Sequence, residues 1–278
     1  MPQVNVVLGI VVAMALLSGC GSSGAPTVGP SSGAADAAPA RLHREGVYLV
    51  DDDNRIVLLH GVNAVWKLKP YAPPDTPAGF TAADADWLRD HGFNAVRLGT
   101  LFAGVMPTPG AIDQAYLQQV DRVVQLLAAR GIWVQLDFHE DMYNERFYGE
   151  GFPDWSVYDD GVPLLVNAGF PGNLFLPATS IAFNNFWNDH AGLWDYYRDA
   201  WRAVAAKWAQ QDHLMGYDLI NEPWPGTQYP LCLPPLGCPI FDEQKLQGLQ
   251  QHALAGIREV DAKNLVWFEP LVLISYGA

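Results

Sequence analysis

The sequence predicts an α/β fold with a parallel sheet, and two observations carry this prediction. Short apolar runs alternate with segments whose apolar residues recur at helical spacing, from residue 46 to the end of the chain. The first buried run is followed by Gly61-Val62-Asn63, which lacks the glycine pattern of a dinucleotide-binding turn. The alternation fits an open doubly wound sheet or part of a (β/α)8 barrel, and the absent fingerprint weakens the first alternative.

The strands are predicted from apolar runs bounded by turn residues. Gly46–Val50 and Arg55–His60 flank the polar run Asp51 to Asn54, which predicts a hairpin. That polar run lacks the glycine and distal glutamate of a calcium loop, so it predicts a solvated turn. Five buried strands follow in order at Ile56–Val62, Phe93–Leu98, Ile132–Phe138, Gly216–Ile220 and Leu265–Phe268.

Helices are predicted between these strands. Thr81, with Asp84 three residues later, is typical of a helix start, and Gly92 of a helix end. Asp113 begins a second helix that ends before Gly131. Two further helices are predicted at 193–208, from an aromatic and aliphatic stripe, and at 241–261.

Charge and composition exclude several classes of partner. The 278-residue chain is half hydrophobic and carries a formal net charge of −14 with a pI near 4.7. An acidic chain without a basic stripe does not fit nucleic acid, and it does not favour docking on anionic lipid. We expect no cofactor and no metal, and the sequence leaves the oligomeric state open.

The N-terminus is typical of an exported protein. An apolar run from Val6 to Leu17 leads into Leu17-Ser18-Gly19-Cys20, so residues 1–20 resemble a bacterial lipoprotein signal in which Cys20 is lipidated. The run departs from that pattern because no Lys or Arg precedes it. Residues 21–45 are predicted to be a flexible linker, and residues 46–278 the globular domain. We therefore expect a cell-surface lipoprotein or a secreted protein, with membrane contact only through the anchor.

Two cysteines lie close together in a proline-rich loop. Cys232 and Cys238 are separated by Leu-Pro-Pro-Leu-Gly, and no histidine or further cysteine is nearby in sequence. In an exported protein such a pair favours a local disulfide over a metal site.

A long excursion interrupts the alternation between the third and fourth strands. Residues 140–192 are rich in aromatic side chains, which pack into satellite clusters and also stack on sugar rings. Most of these residues are expected to form a cluster under the loop. Trp187, in Phe183-Asn184-Asn185-Phe186-Trp187, is predicted to contact sugar.

The fourth strand ends in Asn221-Glu222-Pro223, where the proline cannot donate to a strand ladder. In a parallel barrel the carboxyl ends of the strands gather the catalytic side chains. A carboxyl beside an amide suits glycoside chemistry, because an acid protonates the leaving oxygen and an amide holds a ring hydroxyl. A solvated glutamate at a strand end is the alternative interpretation.

Several separated motifs resemble glycoside hydrolase family 5 from about residue 46 onward. They are His60-Gly61-Val62-Asn63, Arg97 in Ala95-Val96-Arg97-Leu98-Gly99, His139 in Asp137-Phe138-His139-Glu140-Asp141, and Asn221-Glu222-Pro223. Within the family the chain is most similar to the endoglycoceramidase branch, through residues 65–71, 137–143 and 182–187. The resemblance implies a retaining hydrolase on a (β/α)8 barrel, with 46–278 as the N-terminal part of the catalytic domain.

The resemblance also implies roles for individual residues. Glu222 would be the general acid/base, and Asn221 would hold the sugar 2-hydroxyl. His139 and Asp141 would bind other hydroxyls of the same sugar. The alternative is that His139 has only a structural role, with its hydrogen bonds made within the fold.

Two basic residues are assigned in the same way. Lys67, or alternatively Lys69, would contact sugar, although Lys67 could also be a surface lysine lying over Trp66. Arg97 would line the site and support the catalytic carboxylates from below, or be a buried charge paired only for structure.

The family places its nucleophile, a glutamate, after the seventh strand of the barrel, whereas this sequence ends soon after a predicted fifth. We therefore expect about five of eight βα units, and poor stability and no glycosidase activity from this chain alone. Glu269, in Trp267-Phe268-Glu269-Pro270, is predicted to line the substrate cleft rather than act as the nucleophile.

Three functions remain in competition. The leading one is cleavage of the β-glycosidic bond between the sugar and ceramide of a glycosphingolipid. The second is a glucanase or β-glucosidase acting on polysaccharide or other glucosides. The third is a carbohydrate-binding lipoprotein without chemistry.

Overall fold

The computed structural model describes residues 40–232 and 237–276. The predicted signal segment, Cys20 and most of the predicted linker lie outside the described residues and stay predictions. Within the described residues, no helix is both long and apolar enough to span a bilayer.

In the part of the chain that the structure describes, seven strands form two sheets. A short antiparallel hairpin pairs β1 with β2, and five parallel strands lie side by side in the order β3-β4-β5-β6-β7. The strands are β1 His43–Glu45, β2 Tyr48–Val50, β3 Gly61–Ala64, β4 Ala95–Gly99, β5 Trp133–Asp137, β6 Leu214–Asp218 and β7 Val266–Trp267. Because each parallel strand pairs with the next one along the chain, these five are consecutive strands of a (β/α)8 barrel, with helices between them.

The hairpin differs from the prediction. Tyr48–Val50 forms its ladder with His43–Glu45 across a turn at Gly46, whose φ is 61°. A glycine is the residue that adopts such a left-handed turn without strain, and this signal was overlooked. The contact of Tyr48–Val50 with the predicted partner 55–60 is limited to the vicinity of Ile56, where the Val57 amide donates to the Leu49 carbonyl. Only a single bridge joins Val50 to Ile56.

Residues 40–45 are folded, so the predicted linker 21–45 is wrong at its C-terminal end. The Arg41 guanidinium donates to the side chain of Asn264 at 2.7 Å and to the carbonyl of Ala209 at 3.0 Å. These bonds hold the start of the folded chain against the end of one βα unit.

The first buried strand begins later than predicted. Residues 56–60 are joined to their neighbour mainly through one side chain, because Asn94 donates to the carbonyl of Leu58 and accepts from the His60 amide. Backbone pairing with β4 begins only at Gly61. The other four predicted strands overlap the observed ones, although β7 is reduced to two residues.

The helices lie between the strands, and their starts follow the predicted signals. They are α1 Ala82–Asp90, α2 Phe102–Val105, α3 Gln114–Ala128, α4 Pro177–Trp187, α5 Leu193–Trp208, α6 Pro239–Phe241 and α7 Gln247–Arg258, with a π-helical turn at Asp242–Leu246. Thr81 and Asp84 form the predicted capping box, and the Asp113 carboxylate accepts the amides of Ala115 and Tyr116.

Helix α5 fixes the end of β6 immediately before the Asn-Glu-Pro triplet. Tyr197 Oη and Trp201 Nε1 both donate to the carbonyl of Leu219, at 2.7 and 3.1 Å. Trp201 also stacks on Phe138, the residue after β5, with ring centroids 3.8 Å apart. The buried stripe of α5 thereby holds two neighbouring strand ends in register.

A separate small apolar cluster closes the opposite end of the sheet. Leu42 packs there with Ala95, Trp133 and Met215, which lie at the amino ends of the strands. The carbonyl of Ala40 accepts the His213 amide just before β6. The described chain therefore begins at the end of the sheet remote from the strand carboxyl ends.

The predicted disulfide is present. Cys232 and Cys238 are bonded to each other, and both residues are buried.

Candidate active site

Polar side chains from four strands converge where the strands end. Arg97 lies within β4, Asp137 and Asp218 are the last residues of β5 and β6, and Glu269 follows β7 by two residues. Asp137 and Asp218 are direct neighbours in the sheet register. Parallel pairing thus brings three carboxylates around one guanidinium.

The guanidinium of Arg97 is bound to other side chains of the protein. Nε donates to Asp218 at 2.8 Å, Nη1 contacts Asn221 at 3.0 Å and Asp137 at 2.8 Å, and Nη2 contacts Glu269 at 2.5 Å and Asp218 at 2.8 Å. Each nitrogen of the guanidinium makes one hydrogen bond, and Nη1 and Nη2 each make a further close ion pair. These contacts favour the predicted supporting role of Arg97 over a contact with sugar.

Asn221 is held through its side chain and its backbone, whereas Glu222 is held through its backbone. Asn221 is buried; its Nδ2 donates to the carbonyl of Glu140 at 2.9 Å, and its amide donates to the carbonyl of Phe138 at 3.2 Å. Glu222 is exposed, has a φ of 43°, and donates its backbone N–H to Glu269 Oε2 at 2.7 Å. The rigid amide and the exposed carboxyl suit a fixed sugar contact beside a proton donor.

His139 is a buried neutral imidazole. Burial, together with the positive charges of Lys67 and Arg97, lowers its pKa to about 3. Nδ1 lies 2.8 Å from Asp137 Oδ2, and Nε2 lies 3.5 Å from Asp141 Oδ2. With Asp137 ionised, Nδ1 donates to it and Nε2 accepts; with Asp137 protonated, Nε2 carries the hydrogen towards Asp141.

Lys67, and not Lys69, lies at this histidine. The Lys67 ammonium contacts the Asp141 carboxylate and lies 3.0 Å from Glu150 Oε1. Lys69 instead pairs with Glu145 at 2.7 Å. These positions favour Lys67 of the two predicted alternatives, and its contact with sugar stays a prediction.

Burial sets the protonation of the acidic cluster. Against the attraction of Arg97, burial and the negative charge of Glu222 raise the pKa of Asp137 to about 7. Burial also raises the pKa of Asp218 and of Glu269, and each is raised further by a neighbouring carboxylate. Glu140, fully buried, has its pKa raised well above the usual range for the same reason. The negative charge of Glu222 also contributes to the shifted pKa values of Glu140 and His139.

One group of side chains has metal-ligating chemistry. His139, Asp141 and Glu150 offer ligand atoms that lie within 4.8 Å of one another. The ammonium of Lys67 pairs with both carboxylates of this group, so a cation of the protein already lies where a metal ion would bind. The donor set therefore does not fit a resident metal.

The prediction that Trp187 contacts sugar is wrong. Its side chain is 1% exposed, and its Nε1 donates to the carbonyl of Trp224 at 2.7 Å. It lies at the end of α4, edge-on to Phe241 with ring centroids 5.0 Å apart. An indole enclosed in this way has no free face for a pyranose. The aromatic motif that ends in Trp187 therefore belongs to the packed core of the excursion.

The same excursion also carries apolar residues that are exposed. Leu165 and Val166 are 85% and 59% exposed, and Tyr148, Phe170 and Phe175 are 62%, 59% and 41% exposed. The excursion is thus a packed aromatic cluster with an apolar outer surface.

Sequence reasoning missed three residues of the site. Asp137 lies in a motif of the sequence analysis and Asp218 in the fourth predicted strand, but neither residue was given a role. Their signal is positional, since both are the last polar residue of a buried strand and such ends meet at one edge. Glu150 lies within the excursion and is brought back by a bridge with Asp141, which nothing in the sequence indicates.

A groove is lined by Lys69, the predicted alternative to Lys67, and by none of the other predicted sugar contacts. Its volume is about 330 Å³, and Tyr71, Tyr116 and Asp154 are among its other lining residues.

Comparison with known proteins assigns this arrangement to a family. Residues 50–270 match the family described as Cellulase (glycosyl hydrolase family 5). Endoglycoceramidase I of Rhodococcus hoagii is 39% identical over 231 residues, which are 83% of this chain and 46% of that protein. An endoglycoceramidase of Cyanea nozakii is 33% identical over 254 residues, 82% of this chain and 50% of the other. The chain thus spans about half the length of these relatives.

Solved structures agree with the sequence matches. Endo-glycoceramidase II from Rhodococcus sp., solved in complex with ganglioside GM3, aligns with a TM-score of 0.69 at 36% identity, covering 79% of this chain and 50% of that one. An endogalactoceramidase aligns with a TM-score of 0.71 at 28% identity, covering 84% of this chain and 54% of that one.

Proposed function

The chain belongs to glycosyl hydrolase family 5, and from this premise we propose that it carries the sugar-binding and proton-donating part of an O-glycosyl hydrolase acting on glycosphingolipids. The bond cleaved is the β-glycosidic bond between the sugar and ceramide. The observation that carries the proposal is the exposed Glu222 at a strand end, directly after a fixed Asn221.

Glu222 is the general acid and then the general base. It protonates the glycosidic oxygen as the bond breaks, and it later removes a proton from the water that releases the sugar. Its exposure leaves the carboxyl free to reach a substrate, whereas the other acids of the cluster are buried or half-buried and bonded to the protein.

The sugar is held by a set of groups with complementary polarity. Lys67 donates, Asp141 accepts, and neutral His139 does either according to the state of Asp137. A sugar hydroxyl both donates and accepts, so it can replace part of the Lys67–Asp141 contact. This gives a site for neutral hydroxyls next to the scissile bond.

The stereochemistry is proposed from the family. A retaining glycosidase needs a second carboxylate about 5–5.5 Å from the acid/base, on the other side of the bond. The resemblance assigns that nucleophile to a glutamate after the seventh strand, and the five parallel strands described here support the acid/base side.

The lipid substrate is supported by two observations. The relatives compared above are named as endoglycoceramidases, and the excursion carries exposed apolar residues such as Leu165, Val166 and Phe170. A contiguous apolar surface is suited to an acyl chain. The family description as Cellulase favours a second candidate, a β-glucanase or β-glucosidase.

The test is a direct comparison of substrates. The protein expressed from its natural gene, and the 278-residue chain, are each incubated with ganglioside GM3 and with a soluble β-glucan. Release of intact oligosaccharide and ceramide from GM3 supports the glycosphingolipid function. Reducing sugar from the glucan alone transfers the proposal to the second candidate, and no release from either by either protein contradicts the hydrolase function.

A further inference from the structure

We propose that Glu269 is a positioning residue that holds the backbone of Glu222 in the conformation that aims its carboxyl into the cleft. This inference rests on the proposed role of Glu222 as the acid/base. It gives Glu269 a function different from the predicted lining of the cleft.

The first step is the backbone of Glu222 itself. Its φ of 43° lies in the left-handed region, which a residue with a side chain enters at a cost of about 1–2 kcal/mol. Glutamate gains nothing locally from this conformation, and Pro223 follows it, so the surrounding structure must hold it.

The second step is where the ladder between β6 and β7 ends. The amides of Tyr217 and Leu219 donate to the carbonyls of Leu265 and Trp267, which is ordinary parallel pairing. The amide of Asn221 turns away to Phe138 on the other side. The N–H of Glu222 then donates to Glu269 Oε2 at 2.7 Å, so a carboxylate takes the place of the next ladder carbonyl.

The third step is how Glu269 is held. Arg97 Nη2 donates to Oε1 at 2.5 Å, and Gln250 of α7 donates to the Glu269 carbonyl at 3.0 Å. The amide of Val272 also donates to the carbonyl of Pro223 at 3.1 Å. The segment after β7 and the segment after β6 are therefore joined at several points, and each oxygen of the Glu269 carboxyl has one protein donor.

A carboxylate is the group this position requires. Two N–H donors approach two different oxygens, one from Arg97 and one from Glu222. A carboxamide has a single acceptor oxygen, so its NH₂ group would face one of these donors. Glu269→Gln should thus release the Glu222 amide or break the contact with Arg97 while preserving size.

The test measures the hydrogen bond without requiring hydrolysis. The ¹H and ¹⁵N shifts of the Glu222 amide are followed by NMR from pH 5 to 9 in the wild-type protein and in Glu269→Gln. Charged groups facing Glu269 are Arg97 on β4, Asp137 on β5 and Asp218 on β6. We expect a titration of the Glu222 amide in the wild type that loses most of its amplitude in Glu269→Gln. Glu259→Gln, at an exposed surface glutamate, should keep the full amplitude.

A flat wild-type profile, or an unchanged amplitude in Glu269→Gln, would overturn the proposal. If Glu269→Gln does not fold, Asp218→Asn decides instead. Removing the repulsion of Asp218 should lower the midpoint of the Glu222 amide titration and leave its amplitude, whereas loss of the amplitude would mean that Asp218 is the group reported.

Kinetics then connects the hydrogen bond to the chemistry. In the protein that hydrolyses a glycoside, Glu269→Gln should lower kcat by about 10²-fold with KM nearly unchanged, because a displaced catalytic group affects the reacting geometry more than binding. An unchanged kcat would contradict a positioning role. If no glycoside is hydrolysed but the amide titration behaves as expected, the hydrogen bond between the Glu222 amide and Glu269 is supported and the proposed function is contradicted.

Discussion

The side chain of Glu222 is the exposed acid in a group of buried ones. We expect Glu222→Gln to lower kcat on a glycosphingolipid by about 10²–10⁴-fold, the usual share of general acid–base catalysis. The effect should be smaller for the bond-breaking step of an aryl glycoside whose leaving group needs no protonation. Steady-state and burst kinetics on both substrates measure this. Glu243→Gln, an exposed glutamate outside the site, is the control, and equal losses in the two variants would contradict the assignment.

The two lysines of the segment after β3 provide a matched pair. Lys67→Met removes a charged hydrogen-bond donor from the Asp141 and Glu150 side chains, and such bonds contribute roughly 1.5–3 kcal/mol. We expect kcat/KM to fall by about 10–100-fold. Lys69→Met removes a surface pair with Glu145 and should change kcat/KM little. A larger loss in Lys69→Met than in Lys67→Met would contradict the position assigned to sugar.

At the scale of elements, the aromatic residues of the excursion mainly stabilise the fold, and fewer of them are available to bind substrate. Trp187 at the end of α4 fills a buried position, and we expect Trp187→Ala to lower the free energy of unfolding by about 3–5 kcal/mol. Urea unfolding measures it, with Trp87→Ala, at a position 54% exposed, as the control. Wild-type stability in Trp187→Ala, together with weaker sugar binding, would restore the sugar contact.

The sequence predicted the helices better than the hairpin, for a local reason. Thr81, Asp84 and Asp113 act on amides within a few residues, so their caps can be recognised without knowing the rest of the fold. The hairpin and the first buried strand depend on partners distant in sequence, such as Asn94 and β4. The predicted partner of the hairpin strand and the predicted start of the first buried strand therefore differ from the structure. The order of the parallel strands was predicted.

The same distinction divides the site. Glu222, His139 and Asp141 were found because they lie in motifs at strand ends. Glu150 was missed because a bridge returns it from the excursion, and Trp187 was misassigned because a motif gives no information on which face of a helix is covered. Burial has to be known before an aromatic residue can be assigned to a ligand.

For the whole molecule, the acidic cluster makes stability depend on pH. The pKa of Asp137 is raised from 3.8 to about 7, so the native state retains a proton that the unfolded chain has lost, and Asp137 destabilises the fold as pH rises from 4 to 7. His139 acts oppositely between about pH 3 and 6.5, because its pKa is lowered. Asp218 and Glu269, whose pKa values are also raised, add to the effect of Asp137. The net expectation is falling stability from pH 5 to 7.

Asp137→Asn should reduce this slope by up to about 1.4 kcal/mol per pH unit, the value for one proton. The measurement is the free energy of urea unfolding at intervals from pH 5 to 8. Asp53→Asn, at an exposed aspartate of the N-terminal turn, should leave the slope as it is. A wild-type protein that becomes more stable between pH 5 and 7 would contradict the expectation.

The position of Ala40 has a practical consequence. The described chain starts beside His213, against the amino ends of the strands, whereas Glu222 and His139 lie at the carboxyl ends. Chemical coupling at residue 40 itself would therefore attach the protein at the end of the sheet remote from Glu222 and His139. Protein immobilised at that residue should bind sugar as free protein does.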